Sequence, residues 1–208
     1  MNSSRTRVKM CGMTRAEDVA HAISLGVDAI GLIFYPKSPR NVTIETARPL
    51  LDNIPPFVSA VAVLVNPEMK LVEQILKKLP IQLLQFHGDE SPEFCQQFGK
   101  PFIKAIQPQT ADQIKQEMER YSKASALLLD TPSVTNRGGT GLTFDWNIIP
   151  PDLPKPYILA GGLNQFNVLD AIKMNPYAVD VSSGVESEPG IKDHLKMSQF
   201  IKVLWGIQ

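Results

Sequence analysis

The sequence predicts an α/β chain folded as a single (β/α)8 barrel of the TIM type, and three observations lead there. Eight short runs rich in aliphatic and β-branched residues alternate with longer segments of helical periodicity. The runs are apolar almost without interruption, as parallel strands covered on both faces require. Neither a shift in composition nor a Gly/Ser linker divides the 208 residues, so residues 1–208 read as one domain with a substantial core. A doubly wound open sheet is the alternative. That fold would place a G-x-G-x-x-G loop after its first strand, where CGMTRAED supplies one glycine.

Taken in order, the strands are RVKM (Arg7–Met10), AIGLIF (Ala29–Phe34), FVSAVAVLV (Phe57–Val65) and IQLLQF (Ile81–Phe86), then FIKAI (Phe102–Ile106), ALLLD (Ala126–Asp130), YILAG (Tyr157–Gly161) and AVDVS (Ala178–Ser182). Thr14 is placed to cap the first helix, RAEDVAHAISL, which Gly26 ends. The second helix, Thr43–Asn53, contains Pro49, which should kink or shorten it. Pro67 opens the third, PEMKLVEQILKKL, as its first residue. Pro92–Phe98 follows, and Thr110 begins ADQIKQEMERYS. The sixth crossover, around FDWNII, has the weakest helical pattern, and Asn164–Met174 and Asp193–Trp205 complete the series.

Lys plus Arg and Asp plus Glu both total 21, so no excess charge recommends a nucleic acid or an anionic membrane as partner. Two cysteines, Cys11 and Cys95, could form one disulfide at most, and a chain of this size needs no such staple. The N-terminus lacks the apolar core of a signal peptide, and no run approaches the roughly 20 apolar residues that span a bilayer. These features lead to the expectation of a cytoplasmic protein.

A barrel of this kind carries its active site at the C-terminal ends of the strands. Reading those ends in order gives Cys11, YPKSPR with Arg40, HGDE with His87, Asp130, AGG at Ala160–Gly162 and SSGVE at Ser182–Glu186. Three glycine-bearing pieces, RGGTG (Arg137–Gly141), AGGLN (Ala160–Asn164) and SSGVE, come in adjacent late units. Glycines let backbone N–H groups approach an anion, and the loops after strands seven and eight are the usual phosphate site of the fold. A phosphorylated small molecule is therefore the expected ligand.

The individual side chains have bland readings beside the functional ones. Cys11 is either a small buried hydrophobe or a reactive thiol; alternation puts Lys9 on the same side of the strand, where it could stabilise a thiolate or neutralise an interior carboxylate. Asp130 ends four apolar residues and either caps a helix or faces the mouth as a general acid. Arg40 has a planar fork suited to a carboxylate, though a solvated surface arginine has the same sequence signature. His87 either contacts substrate or hydrogen-bonds a neighbour that does. Asp180 points inward or outward with register, and inward it could accept from ligand hydroxyls. Cys95, in PEFCQQF, reads as packing. His21, His87 and His194 are dispersed and no C-x-x-C pair occurs, so neither a metal nor a redox cofactor is expected.

At these residues the sequence resembles the phosphoribosylanthranilate isomerases of tryptophan biosynthesis. KMCGMT, GLIFYPKSPR, QFHGDE, LLLDT, GGTGLTFDW, ILAGGLN and VDVSSGVESEPGIKD occur in the family's order almost from end to end. The resemblance implies a cofactor-free Amadori rearrangement of N-(5-phosphoribosyl)anthranilate to 1-(2-carboxyphenylamino)-1-deoxyribulose 5-phosphate. It implies that Cys11 is the general base and Asp130 the general acid, with Arg40 on the anthranilate carboxylate and Asp180 on sugar hydroxyls. The phosphate would be held by Gly139, Thr140 and Gly141, by Gly161, Gly162 and Leu163, and by Ser183, Gly184 and Val185. The family's members are monomers or homodimers. Two other readings compete: a different phosphate-binding barrel, such as a histidine-pathway sugar isomerase or an indole-producing lyase, and a non-catalytic sensor of phosphorylated ligands. A histidine-pathway isomerase should use paired carboxylates, and a sensor needs neither acid nor base.

Overall fold

The computed structural model describes residues 5–131 and 145–206. Its first half runs β1 (Arg7–Cys11), α1 (Ala16–Ser24), β2 (Ala29–Phe34), α2 (Ile44–Leu51), β3 (Ser59–Leu64), α3 (Met69–Lys78), β4 (Leu83–Phe86) and α4 (Pro92–Gln96). The second half continues with β5 (Phe102–Ile106), α5 (Ala111–Arg120), β6 (Ala126–Leu129), β7 (Tyr157–Leu159), α6 (Val168–Lys173), β8 (Ala178–Val181), a short hairpin β9 (Glu186–Glu188) and β10 (Ile191–Lys192), and α7 (His194–Trp205). Strands β1 to β8 pair in sequence order, all parallel, and β8 closes on β1. The expected (β/α)8 barrel is what the chain forms.

Side-chain alternation along each strand splits the core in two. Val8, Met10, Ile30 and Leu32 point outward and are buried under the helices, within a large apolar cluster that joins barrel and helix layer. Each such fully buried aliphatic side chain contributes roughly 1.5–3 kcal/mol through removal from water. A smaller cluster inside the barrel contains Ile103, Ala105, Ala126, Leu128, Ile158, Ala160 and Ala178. The interior also holds polar groups: Lys9, Gln85 and Asp180 are buried there on β1, β4 and β8, with Gln85 beside Ile103 and Asp180 two residues beyond Ala178. The barrel is thus filled by aliphatic groups together with polar ones that need partners.

Several helix ends follow the sequence. Thr43 and Thr46 form a reciprocal cap on α2, Ser91 caps α4 ahead of Pro92, Thr110 caps α5, and Asp193 accepts from Leu195 and Lys196 at the start of α7. Pro49 lies inside α2, which ends at Leu51 instead of Asn53.

Others depart from expectation. Thr14 does not cap α1; its hydroxyl donates to the Gly190 carbonyl, and the capping position falls on Arg15. Pro67 lies before α3, whose first residue is Met69. Asn164 turns the chain by accepting from Phe166, so α6 begins only at Val168. Strand β3 begins at Ser59, because the preceding Pro55 and Pro56 lack N–H donors and Val58 closes a turn onto Pro55; Phe57 is left 96% exposed. In the sixth crossover the described residues form a 3-10 turn, Trp146–Ile148, in place of an α-helix. No helix among the described residues is long and apolar enough to cross a membrane.

Candidate active site

Cys11 is the last residue of β1, and its register partner on β2 is Gly31. That pairing decides where the sulfur goes. A Cβ on Gly31 would stand 2.6 Å from Cys11 Sγ and 3.0 Å from Lys9 Nζ, so the glycine vacates the space that both side chains fill inside the barrel. Cys11 is 7% exposed and lies outside the aliphatic clusters. Of the two readings of Lys9, the structure joins both: Nζ donates to Asp180 Oδ2 at 2.8 Å, and the ammonium lies against the thiol.

The electrostatics follow from burial and these contacts. Burial opposes charge on Lys9, yet Asp180 and then Cys11 outweigh it and hold the ammonium above its ordinary pKa. Burial pushes the Cys11 thiol up, against the pull of Lys9 and, more weakly, Lys192. Asp180 faces inward, paired in register with Lys9, and its Oδ1 is buried without a hydrogen-bond partner. An acceptor without a partner among the described residues suits a ligand hydroxyl. By contrast, the Cys95 thiol is fully buried on α4, and burial pushes it up to about 12.

Asp130 follows β6 directly, anchored by its N–H to the Ile106 carbonyl at 2.9 Å. Its Oδ1 accepts from the Thr131 N–H at 2.8 Å and its Oδ2 meets His87 Nε2 at 3.1 Å. His87, just past β4, has its Nδ1 3.1 Å from the Gln85 side-chain amide nitrogen. With a donor at Nδ1, the ring proton sits on Nε2 and faces Asp130. His87 therefore hydrogen-bonds the carboxylate, the second of its two expected settings. Asp130 lies close enough to Asp180 for their charges to interact, which places the β6 and β8 carboxyls at one end of the barrel.

The HGDE turn is held by an internal ion pair. Lys104 Nζ donates to Glu90 Oε2 at 2.9 Å and to the Gly88 carbonyl, while Glu90 accepts from the Asn66 and Gly88 N–H groups.

Arg40 is not a solvated surface arginine. Its Nε and Nη2 donate to Glu186 Oε1 and Oε2 at 2.8 and 2.6 Å, and its stem crosses Gly12, where a Cβ would come within 2.6 Å of Arg40 Cδ. Glu186 and its second partner Lys192 come from the β9–β10 hairpin, to which sequence reasoning assigned no role. Gln85, Glu90 and Lys104 were missed as well. The available signal was polarity inside otherwise apolar strands, as in LLQF and FIKAI.

The glycine loops after β7 and β8 press together. Gly161 and Gly162 have positive φ, 81° and 68°, and a Cβ on Gly184 would collide with the Leu163 carbonyl. Asn164 and Asn167 side chains both donate to the Gly162 carbonyl, at 3.1 and 3.0 Å. The N–H groups of Gly162, Leu163, Ser183 and Gly184 donate to no acceptor among the described residues. Open N–H groups on two touching glycine loops suit an anion. Val185, also expected there, instead donates to the Ser182 carbonyl at 3.4 Å and buries its side chain in the outer core. Gly139, Thr140 and Gly141, the third expected loop, lie outside the described residues.

Comparison with known proteins gives one consistent result. Residues 8–203 match the family model described as N-(5'phosphoribosyl)anthranilate (PRA) isomerase. An N-(5'-phosphoribosyl)anthranilate isomerase of Legionella pneumophila (strain Lens) is 69% identical over 207 residues, covering 99% of this chain and 100% of the relative. The crystal structure of phosphoribosyl anthranilate isomerase from Thermotoga maritima aligns with a TM-score of 0.89 at 39% identity, over 97% of this chain and 100% of that one. A phosphoribosyl anthranilate isomerase in complex with reduced 1-(o-carboxyphenylamino)-1-deoxyribulose 5-phosphate aligns at 0.82 and 35% identity, over 97% and 100%.

Proposed function

The chain belongs to the N-(5'-phosphoribosyl)anthranilate isomerase family, and from that premise we propose how its own residues divide the work: Cys11 as general base and Asp130 as general acid. It is an isomerase of tryptophan biosynthesis that acts on a small phosphorylated molecule. The observation that carries the assignment of roles is the inward Cys11 thiol, set beside the Lys9 ammonium in space that Gly31 leaves free.

The reaction needs two proton transfers at different atoms of one substrate. Asp130, oriented by His87 and the Thr131 N–H, gives a proton to the furanose ring oxygen; the C1′–O bond breaks and the nitrogen lone pair forms a Schiff base at C1′. The Cys11 thiolate then takes the proton from C2′, and the electrons of that C–H bond move toward the iminium to give an enolamine. Lys9 stabilises the thiolate on which this step depends. Tautomerisation, with a proton returned to C1′ and one lost from the C2′ hydroxyl, yields the ketone. Oxidation at C2′ and reduction at C1′ balance, so the rearrangement consumes no external electron donor or acceptor.

The remaining groups fix the ligand. Open N–H groups of Gly162, Leu163, Ser183 and Gly184 support a phosphate site, Asp180 Oδ1 supports a contact to a sugar hydroxyl, and Arg40 supports one to the anthranilate carboxylate. Holding both ends of a flexible molecule converts remote binding energy into a fixed geometry for the transfers between them.

The test is a pair of near-isosteric variants. Cys11→Ser and Asp130→Asn should each abolish turnover, followed by the loss of substrate fluorescence, while a phosphorylated product analogue still binds by calorimetry. Turnover like that of the unmodified enzyme in both variants would remove the assignment.

A further inference from the structure

The Arg40 guanidinium has five N–H donors, and Glu186 takes two of them along the Nε–Nη2 edge. The same carboxylate receives Lys192 Nζ at 2.8 Å on Oε1, and Lys192 also donates to the Ser182 carbonyl at 3.1 Å. The Gly190 N–H completes the set at 3.4 Å from Oε1. Lys192 is 2% exposed and Glu186 7%. Burial alone would raise the Glu186 carboxyl, but the Arg40 hydrogen bond and Lys192 hold it below the ordinary carboxylate range.

The charge balance of this cluster is uneven. Two cations face one carboxylate, leaving one positive charge beside the end of β1, close enough to the Cys11 thiol to act on it, with Lys192 buried and Arg40 partly exposed. An ion pair that served only to join the hairpin to the barrel would gain nothing from the surplus, since an uncompensated buried charge is costly. Arg40 keeps donors on its Nη1–Nη2 edge, and Nη1 has no acceptor among the described residues. A second carboxylate fits that edge in the planar, two-point manner that guanidinium favours.

We infer that Glu186 and Lys192 are positioning residues that fix the Arg40 fork with its Nη1–Nη2 edge open, and that they thereby set the preference for a substrate whose aromatic ring bears a carboxylate. Glu186 restrains a side chain that would otherwise sample many rotamers, and Lys192 keeps Glu186 ionised and centred. The inference rests on the proposed contact between Arg40 and the anthranilate carboxylate.

Ribose 5-phosphate condensed with anthranilate or with aniline gives two substrates that differ only in that carboxylate. The readout is the ratio of their kcat/KM values, with product measured by chromatography. Arg40→Gln should lower the ratio about 10- to 100-fold, as loss of a charge-assisted contact does. Glu186→Gln should lower it at least about tenfold through the anthranilate-derived substrate, leaving kcat/KM for the aniline-derived one within about threefold, and Lys192→Met should lower it as far while also slowing both substrates, because its charge favours the Cys11 thiolate. If Arg40→Gln lowers the ratio and the other two do not, the Arg40 contact stands and the inference fails. An unchanged ratio in all three overturns both. Equal losses with the two substrates assign Glu186 and Lys192 to the fold alone and also overturn it. Should Glu186→Gln lack native circular dichroism, Glu186→Asp, which keeps the charge but shortens the reach, is judged by the same ratio.

Discussion

Gly31→Ala adds a single methyl group at the point where strand register meets chemistry. The new Cβ would lie 2.6 Å from Cys11 Sγ, 3.0 Å from Lys9 Nζ and 3.2 Å from Cys11 Cα, so three atoms crowd it at once. The Cys11 backbone is tied into β1, and Lys9 is tied to Asp180, so the sulfur has to move most. Reaching ordinary contact, about 3.5 Å, requires a shift of roughly 1 Å. A misplacement of that size costs on the order of 100-fold in a positioned proton transfer, and the overpacked interior should lose about 1–3 kcal/mol of stability. KM should move little, because the glycine loops and Arg40 lie on other elements. Steady-state kinetics with fluorescence detection give kcat, and urea denaturation gives the stability. In a Cys11→Ala background the added stability cost of Gly31→Ala should shrink, since the sulfur is gone. A folded Gly31→Ala enzyme with unchanged kcat, or a cost that is the same with and without the sulfur, would refute the packing argument.

The Cys11 thiol lies above its ordinary pKa and reacts only after losing its proton, so the rate of its alkylation should rise with pH and continue to rise past the usual thiol range near 8.5. Lys9→Met, made with Asp180→Asn to avoid stranding a carboxylate, removes the pull of Lys9 that lowers the thiol and the weaker Asp180 charge that raises it, so that limb should move to still higher pH in a rate profile; a shift downward would contradict the role given to Lys9. Gly184→Ala forces a Cβ against the Leu163 carbonyl and should part the two glycine loops, weakening a phosphorylated product analogue about tenfold or more by calorimetry. Unaltered affinity would place the phosphate elsewhere.

Most of the barrel was legible because its code is local. Eight apolar runs, the helix starts at Thr43, Thr110 and Asp193, and the Gly26 stop each act within a few positions, and each appears in the structure. One misread end has a long-range cause: Thr14 was read as a cap, but its hydroxyl found the Gly190 carbonyl, a group distant in sequence and near in space. Cys11, Asp130, Arg40 and His87 were singled out from where strands stop and polar residues begin: Cys11 ends β1, His87 and Asp130 directly follow β4 and β6, and Arg40 lies between β2 and α2, whereas Asp180, left open by its register, stands within β8.

What the sequence determined alone was therefore the order of strands and helices, the end of the barrel that carries chemistry, and the residue types gathered there. Only the closed barrel decided their pairing. It set Gly31 opposite Cys11, joined Lys9 to Asp180, and brought Glu186 to Arg40 across 146 positions of chain. The physical reason is that apolar periodicity is satisfied by any element with the right repeat, whereas a buried charge is satisfied only by one partner at hydrogen-bond distance, and that distance exists only once register and closure are fixed.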